Sequence, residues 1–290
     1  MKRPVTIWSE GTRLAGDLFV PDDLGPGERR PALLLCHGWG GLKQHLSTAY
    51  APRFCAEGFV VLTFDYRGWG ESDGQLIRVG EGSNLTEAAV VDIRARVVRE
   101  VVDPVAQALD VRNALDFLSG EEQVDADRIG LWGSSYGGGL VVWTAAHDLR
   151  VKAVVTQVAS FGVPADPEFL DFADLRGRQR ARGDLEWAVP QGIDPTEGLN
   201  GTPDYAKWRS YQVWDVAPWV RAPTLVIDAD EENFVDVTEH GQRIVELIRP
   251  NAPVRYERFP CGHFDIYEQY REPATDLAVA WFREHLGPPD

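Results

Sequence analysis

Long apolar runs are missing from this chain. Nowhere do the roughly 18 consecutive apolar residues needed to span a bilayer occur, so no membrane partner is expected. Basic residues are also few: 29 Lys and Arg stand against 45 Asp and Glu, a net charge of −16. Such a surface repels a phosphate backbone, which argues against nucleic acid as a partner. Cysteine is sparse, with Cys36, Cys55 and Cys261 forming an odd set without metal-ligand spacing. Three unpaired thiols in a reducing cytoplasm are expected, with no disulfide framework and no metal. Lys2 and Arg3 have no apolar stretch behind them, so no signal peptide is read there. Repeats, low-complexity tracts and phosphate-cradling glycine loops are lacking too.

What is present is a chain of 290 residues, 44% hydrophobic, enough for a large α/β core with an insertion. Its most informative stretch is Gly133-Ser134-Ser135-Tyr136-Gly137, between the apolar run Arg128–Trp132 and a second apolar run from Leu140 to Ala146. A strand feeding Gly-x-Ser-x-Gly and then a helix is a nucleophile elbow, which sets the Ser135 hydroxyl beside the first amides of the helix. Random placement of the glycines and serines gives about 0.08 such matches, yet there are two. The second, Gly70-Glu71-Ser72-Asp73-Gly74, is separated from the nearest strand-like run by Asp65–Trp69 and lacks a helix start. Context therefore makes Ser135 the candidate nucleophile and Ser72 a loop serine.

Periodicity supplies the frame. Val5–Ser9 and Arg13–Val20 flank Glu10-Gly11-Thr12 as a hairpin, and Ala32–Cys36 is a strand apolar on both faces. A helix around Leu46–Glu57, a strand Phe59–Phe64 and a helical pattern over 85–119, divided at Asp103-Pro104, come next. Strands over 128–133, Lys152–Val158, Ala222–Asp228 and Val254–Phe259 alternate with helices over 136–147, Val237–Ile248 and Arg271–His285. This alternation predicts an α/β fold with a doubly wound, mostly parallel sheet. Between Ser160 and Val220 the period is lost, and four of the ten tryptophans fall there. A stretch of that length is an inserted cap, residues 160–220, on a core formed by 1–159 and 221–290.

These features resemble the α/β-hydrolase superfamily over nearly the whole core. His37-Gly38-Trp39-Gly40-Gly41 is similar to its His-Gly-x oxyanion motif, and Phe64–Ser72 to its Asp-x-Arg-Gly-x-Gly-x-Ser loop. Asp125–Gly138 resembles the nucleophile strand and elbow of its dienelactone-hydrolase-like and X-Pro-dipeptidyl-peptidase-like branches; the cap matches no named pattern. The resemblance implies a triad in the chain order Ser, acid, His. Of six histidines only His263 follows a late strand on a Gly-rich loop; His37 belongs to the oxyanion motif, and His45, His147, His240 and His285 read as surface or packing residues. Laying Thr224–Ile227 on the family's strand puts Glu232 at the acid position, with Asp230 as runner-up. Asp228, Glu231 and Asp236 read as solvated or loop-capping carboxylates.

Together these residues imply a serine hydrolase, most simply a carboxylesterase, with Ser135, His263 and Glu232 as triad and the N–H groups of Tyr136 and Trp39 as oxyanion donors. Trp187, Trp208 and Trp214 are candidates for the substrate pocket. Alternatives are an X-Pro-like peptidase or amidase, a C–C bond hydrolase, and a ligand-binding pseudoenzyme. No cofactor is expected. The partners expected are a small-molecule ester and, if the chain self-associates, a second copy in a homodimer.

Overall fold

The computed structural model describes residues 1–80, 86–88, 90–163, 166–184 and 199–287. It opens with strands β1 (Lys2–Ser9), β2 (Thr12–Phe19) and β3 (Arg30–Cys36), helices α1 (Lys43–Ala49) and α2 (Ala51–Ala56), and strand β4 (Val60–Phe64). Three short strands come next, β5 (Leu76–Arg78), β6 (Ala95–Val97) and β7 (Val101–Val102), then helix α3 (Pro104–Ser119), strand β8 (Val124–Ser134), helix α4 (Tyr136–His147) and strand β9 (Val151–Gln157). Helix α5 (Pro167–Arg182), strand β10 (Thr202–Pro203) and helices α6 (Tyr205–Trp208) and α7 (Val213–Val216) precede strand β11 (Thr224–Glu231). Helix α8 (Arg243–Ile248), strand β12 (Val254–Gly262) and helix α9 (Arg271–Leu286) complete it. Among the described residues no helix is long and apolar enough to cross a membrane.

Eight strands form one sheet in the order β1-β2-β4-β3-β8-β9-β11-β12. β1 and β2 are antiparallel, as are β2 and β4; every later pair is parallel. The antiparallel start comes from the two-residue turn Glu10-Gly11, where both residues have positive φ (48° and 82°), the requirement of the tightest hairpin turn. All residues of β3 and β4 are buried. Helices lie on both faces: α3, α4 and α8 pack into one apolar cluster, and α1, α2 and α9 into the other. The expected mostly parallel α/β sheet with an N-terminal hairpin is what the chain forms.

The helix expected over 85–119 starts only at Pro104. Asp103 caps it by accepting the Ala106 N–H at 2.9 Å, with Pro104 in the first turn. Before it, β6 pairs antiparallel with β5, and β7 pairs parallel with β10, which lies between α5 and α6. Val97, Val98, Val101 and Val102 are β-branched, and Glu100 turns the chain at φ 56°. Partners distant in sequence thus override a pattern that reads as helical on its own. Ser72 is buried in the loop after β4. It donates to the Asp65 carbonyl at 2.6 Å and accepts the Ala15 N–H at 2.9 Å. In the same loop Arg67 makes paired contacts of 2.9 and 2.7 Å to the fully buried Asp110 of α3.

Ser72 therefore has a structural role. Ser72→Ala removes the acceptor of a buried N–H and is expected to lower the unfolding free energy by about 1–3 kcal/mol in urea titrations. An unchanged urea midpoint would mean that the Ala15 amide finds another acceptor.

Candidate active site

The elbow forms where β8 meets α4. Ser135 has φ 52° and ψ −125°, a conformation that L-residues rarely adopt. Its glycines are required by close approach. A Cβ at Gly133 would lie 2.3 Å from the Gly137 carbonyl oxygen, and one at Gly137 would lie 2.4 Å from that of Cys36. Tyr136 is the first residue of α4, so its N–H has no intrahelical acceptor. The Gly38–Gly41 turn after β3, closed by a Gly41 N–H to Gly38 carbonyl bond of 3.1 Å, stands against the same serine. A Cβ at Gly38 would be 3.0 Å from Ser135 Cβ, and Trp39 follows directly. His37 is buried with its ring tilted against that of Tyr66 at 4.1 Å, and its Nδ1–H donates to the Gly38 carbonyl at 3.0 Å. Burial pushes its pKa down to about 4, so the ring is neutral and holds the turn.

β12 ends at Gly262 and hands over to His263, whose side chain is 6% exposed. His263 Nδ1 lies 2.7 Å from Glu232 Oε2, and the Glu232 side chain is 2% exposed. The other carboxylate oxygen accepts the N–H groups of Asn233 (2.9 Å) and Phe234 (2.8 Å), so the acid is fixed by its own loop. Phe234 and Phe264 flank the imidazole at 4.8 and 5.4 Å. Asp230 points elsewhere, pairing with Arg258 at 2.7 Å at the surface. Asp228 departs from its expected solvated or capping role: it is buried beneath Gly241 and accepts the Tyr256 hydroxyl at 2.9 Å. Burial, assisted by the nearby Glu232 charge, raises its pKa to about 7.

Ser135 and His263 face two cavities, of about 420 and 550 Å³, which share Trp39 and Leu199 in their walls. The smaller runs past His45, Tyr50, Asn200 and Tyr267. The larger is walled by Tyr136, Val158, Tyr205, Trp208, Phe234 and His240. Of the three tryptophans expected in the pocket, Trp208 lines the larger cavity and stacks on Trp39 at 6.0 Å. Trp214 lines neither: it is buried against Gly162 and His240, with the Arg243 guanidinium over its ring at 4.8 Å. Its role is therefore packing rather than pocket lining. Trp187 lies outside the described residues. Leu199, Asn200, Tyr205 and Phe234 were not singled out from the sequence, and His240, read there as a surface or packing residue, stands in the cavity wall. Their common sequence signal is position, between β9 and β11 or just past β11.

A family model described as alpha/beta hydrolase fold matches residues 31–186 of the chain. An uncharacterised 31.7 kDa protein of the traX-finO intergenic region of Escherichia coli is 28% identical over 291 residues, covering 89% of this chain and 92% of that protein. Polyketide transferase grgF of Penicillium sp is 26% identical over 272 residues, covering 82% and 83%. The crystal structure of the alpha/beta hydrolase GrgF from Penicillium sp. sh18 superposes with a TM-score of 0.76 at 21% identity, covering 99% of each chain.

Two outcomes are expected from the site. Glu232→Gln should lower kcat about 10³–10⁴-fold with little change in melting temperature, whereas Asp230→Asn should stay within about tenfold. The reverse order would place the acid two residues earlier. Trp208→Ala should change the ratio of kcat/KM between long- and short-chain esters, while Trp214→Ala should cost about 3–5 kcal/mol of stability and leave that ratio unchanged. A shift of the ratio by Trp214→Ala alone would exchange the two roles.

Proposed function

The chain belongs to the alpha/beta hydrolase fold family, and within it we propose a serine hydrolase that cleaves carboxylic esters through an acyl-enzyme. The observation that carries this reading is the buried 2.7 Å contact between His263 Nδ1 and Glu232, with its histidine in the walls of both cavities that Ser135 faces. In this scheme Glu232 holds the Nδ1–H tautomer, leaving Nε2 to accept the Ser135 proton as Oγ attacks the acyl carbonyl. The oxyanion is held by the N–H groups of Tyr136 and Trp39, each donor of this kind being worth roughly 3–4 kcal/mol. His263 then gives its proton to the departing alkoxide. Water, deprotonated by the same imidazole, attacks the acyl-enzyme and releases the acid.

Residues 160–220 serve in this reading as the cap. Asn200 accepts the Trp39 indole N–H at 2.9 Å, so a residue of the insertion is bonded to the turn that carries the oxyanion donor. The aminopeptidase alternative has less support. It needs a carboxylate at the site for an ammonium group, but no residue of the acidic segment Asp166–Asp174 stands in the wall of either cavity. A second reading, acyl transfer to an alcohol instead of water, is favoured by the polyketide transferase relative and by two cavities at one serine, which give room for acyl donor and acceptor. It uses the same residues.

The test is a panel of p-nitrophenyl esters of rising chain length, aryl esters and aminoacyl-p-nitroanilides. Ester turnover without anilide turnover is expected, with kcat/KM lost at least about 10⁴-fold in Ser135→Ala. A fluorophosphonate should add to Ser135. Labelling elsewhere, or anilide turnover alone, would overturn the esterase reading.

A further inference from the structure

His240 is a buried polar group that the acyl-enzyme scheme leaves unused. It is 4% exposed and lies in the π-helical turn Thr238–Gln242 between β11 and α8. Turns of this kind are rare and recur at functional sites. Here Gly241 sits so close over Asp228 that a Cβ would meet its carboxylate oxygen at 1.7 Å. The turn is thereby pressed onto the end of β11, with the His240 ring in the wall of the larger cavity, between Phe161 and Trp214. Its Nδ1 lies 3.1 Å from the Phe161 N–H. A backbone N–H can only donate, so Nδ1 carries the lone pair and the proton of the neutral ring is on Nε2. Burial pushes the pKa down to about 4, which keeps the ring neutral. Among the described residues no protein atom accepts from Nε2. The preceding residue, Ser160, donates its N–H to the Ser135 carbonyl at 3.1 Å, so one short segment positions both His240 and the elbow.

The rest of that cavity selects the kind of ligand. Val158, Val163, Tyr205, Trp208 and Phe234 make it largely apolar. The two carboxylates at its edge are already engaged: Asp236 accepts from the Thr238 N–H and hydroxyl at 2.8 and 2.6 Å, and Glu239 pairs with Arg243 at 3.3 Å. Both carboxylates stand exposed at the rim, whereas the buried wall between Phe161 and Trp214 offers an uncharged acceptor the Nε2–H of His240. We infer that the larger cavity is a subsite for a substrate arm carrying a carbonyl or ether oxygen, and that His240 Nε2–H donates to that oxygen. The inference rests on the reading of Ser135 as nucleophile and extends it to specificity. A hydrocarbon arm filling the same space leaves the buried N–H unpaired, and sites built around a buried donor discriminate strongly against ligands that lack the acceptor.

The experiment uses two matched pairs of esters. Methyl heptanoate is compared with methyl 5-methoxypentanoate, which places an oxygen in the acyl chain. Butyl butanoate is compared with 2-methoxyethyl butanoate, which places it in the alcohol. Affinities are measured in the Ser135→Ala protein by quenching of tryptophan fluorescence, so the result does not depend on turnover. The oxygen-bearing member of one pair should bind about tenfold tighter. Added to that background, His240→Asn keeps an acceptor for Phe161 N–H but reaches nothing at the Nε2 position, and should abolish the preference. His240→Gln, whose amide N–H reaches that position, should retain it. Equal affinities in both pairs, or a preference unchanged in His240→Asn, overturn the subsite. Nitrogen-15 spectra of histidine in the wild-type protein at neutral pH give a second readout, independent of how the variants fold. A proton on Nδ1 of His240 instead of Nε2 overturns the donor role. Absence of ester turnover in the wild type counts against the hydrolase reading alone and leaves the binding result to decide the subsite.

Discussion

Ser135 is held at φ 52° and ψ −125°, which costs about 1–3 kcal/mol for a residue bearing a Cβ, and the surrounding packing keeps it there. The backbone of Gly137 lies against the ends of β3 and its turn, too close to admit a methyl group, and Gly133 lies as tightly against Gly137. The Ser135 amide donates to the Gln157 carbonyl of β9, while its carbonyl accepts from Gly138 and Ser160. The serine is thus fixed by β3, β8, β9 and the start of α4 together, and its geometry lasts as long as the sheet does. The same contacts set the Gly38–Gly41 turn beside it, so the proposed nucleophile and the proposed oxyanion donors share one support.

Three acids at alternate positions near the end of β11 have different surroundings. Asp228 is buried, Asp230 pairs with Arg258 at the surface, and Glu232 reaches His263 just past the strand. Burial disfavours the charged form of Asp228, and the nearby Glu232 charge adds to this. Its pKa is raised on folding, so the stabilisation it gives is complete below the ordinary carboxylate range and is lost as the pH rises through about 7. Glu232 differs because two backbone N–H groups and the imidazole meet its oxygens. Holding the carboxylate against His263 therefore depends on the loop after β11, whose amides fix its other oxygen.

Much of the core was legible in the sequence because its strands are covered on both faces, so β3 and β4 and the inner parts of β8, β9 and β11 read as apolar runs. The elbow was legible because close approach demands glycine at fixed offsets from the serine. The stretch before α3 was not: Val97, Val98, Val101 and Val102 are placed by pairing with β5 and with β10, the latter about a hundred residues away. His240 was missed for a related reason. Its sequence neighbours suggest a plain helix, and only the fit of Gly241 over Asp228 makes the π turn that brings the ring to the cavity. Trp208 and Trp214 lie six residues apart in equally irregular sequence. What separates them is which neighbour, Trp39 or Arg243, each ring meets.

The division between legible and illegible parts matches the division of labour in the fold. Groups proposed for the chemistry sit at the carboxyl ends of β8, β11 and β12, where neighbouring strands constrain them and where open α/β sheets collect their ligands. Groups that shape the two cavities come largely from connections: Leu199, Asn200, Tyr205 and Trp208 from the stretch between β9 and β11, His240 from the turn before α8. Connections tolerate change better than strands, so a family can hold one reaction core and vary what it accepts. Membership in the alpha/beta hydrolase fold family therefore bears on the attacking group and says little about the acyl chain. In the reading proposed above, the choice of substrate rests with polar atoms that the connections leave facing the cavities, and in the larger one the proposed donor is the Nε2–H of His240.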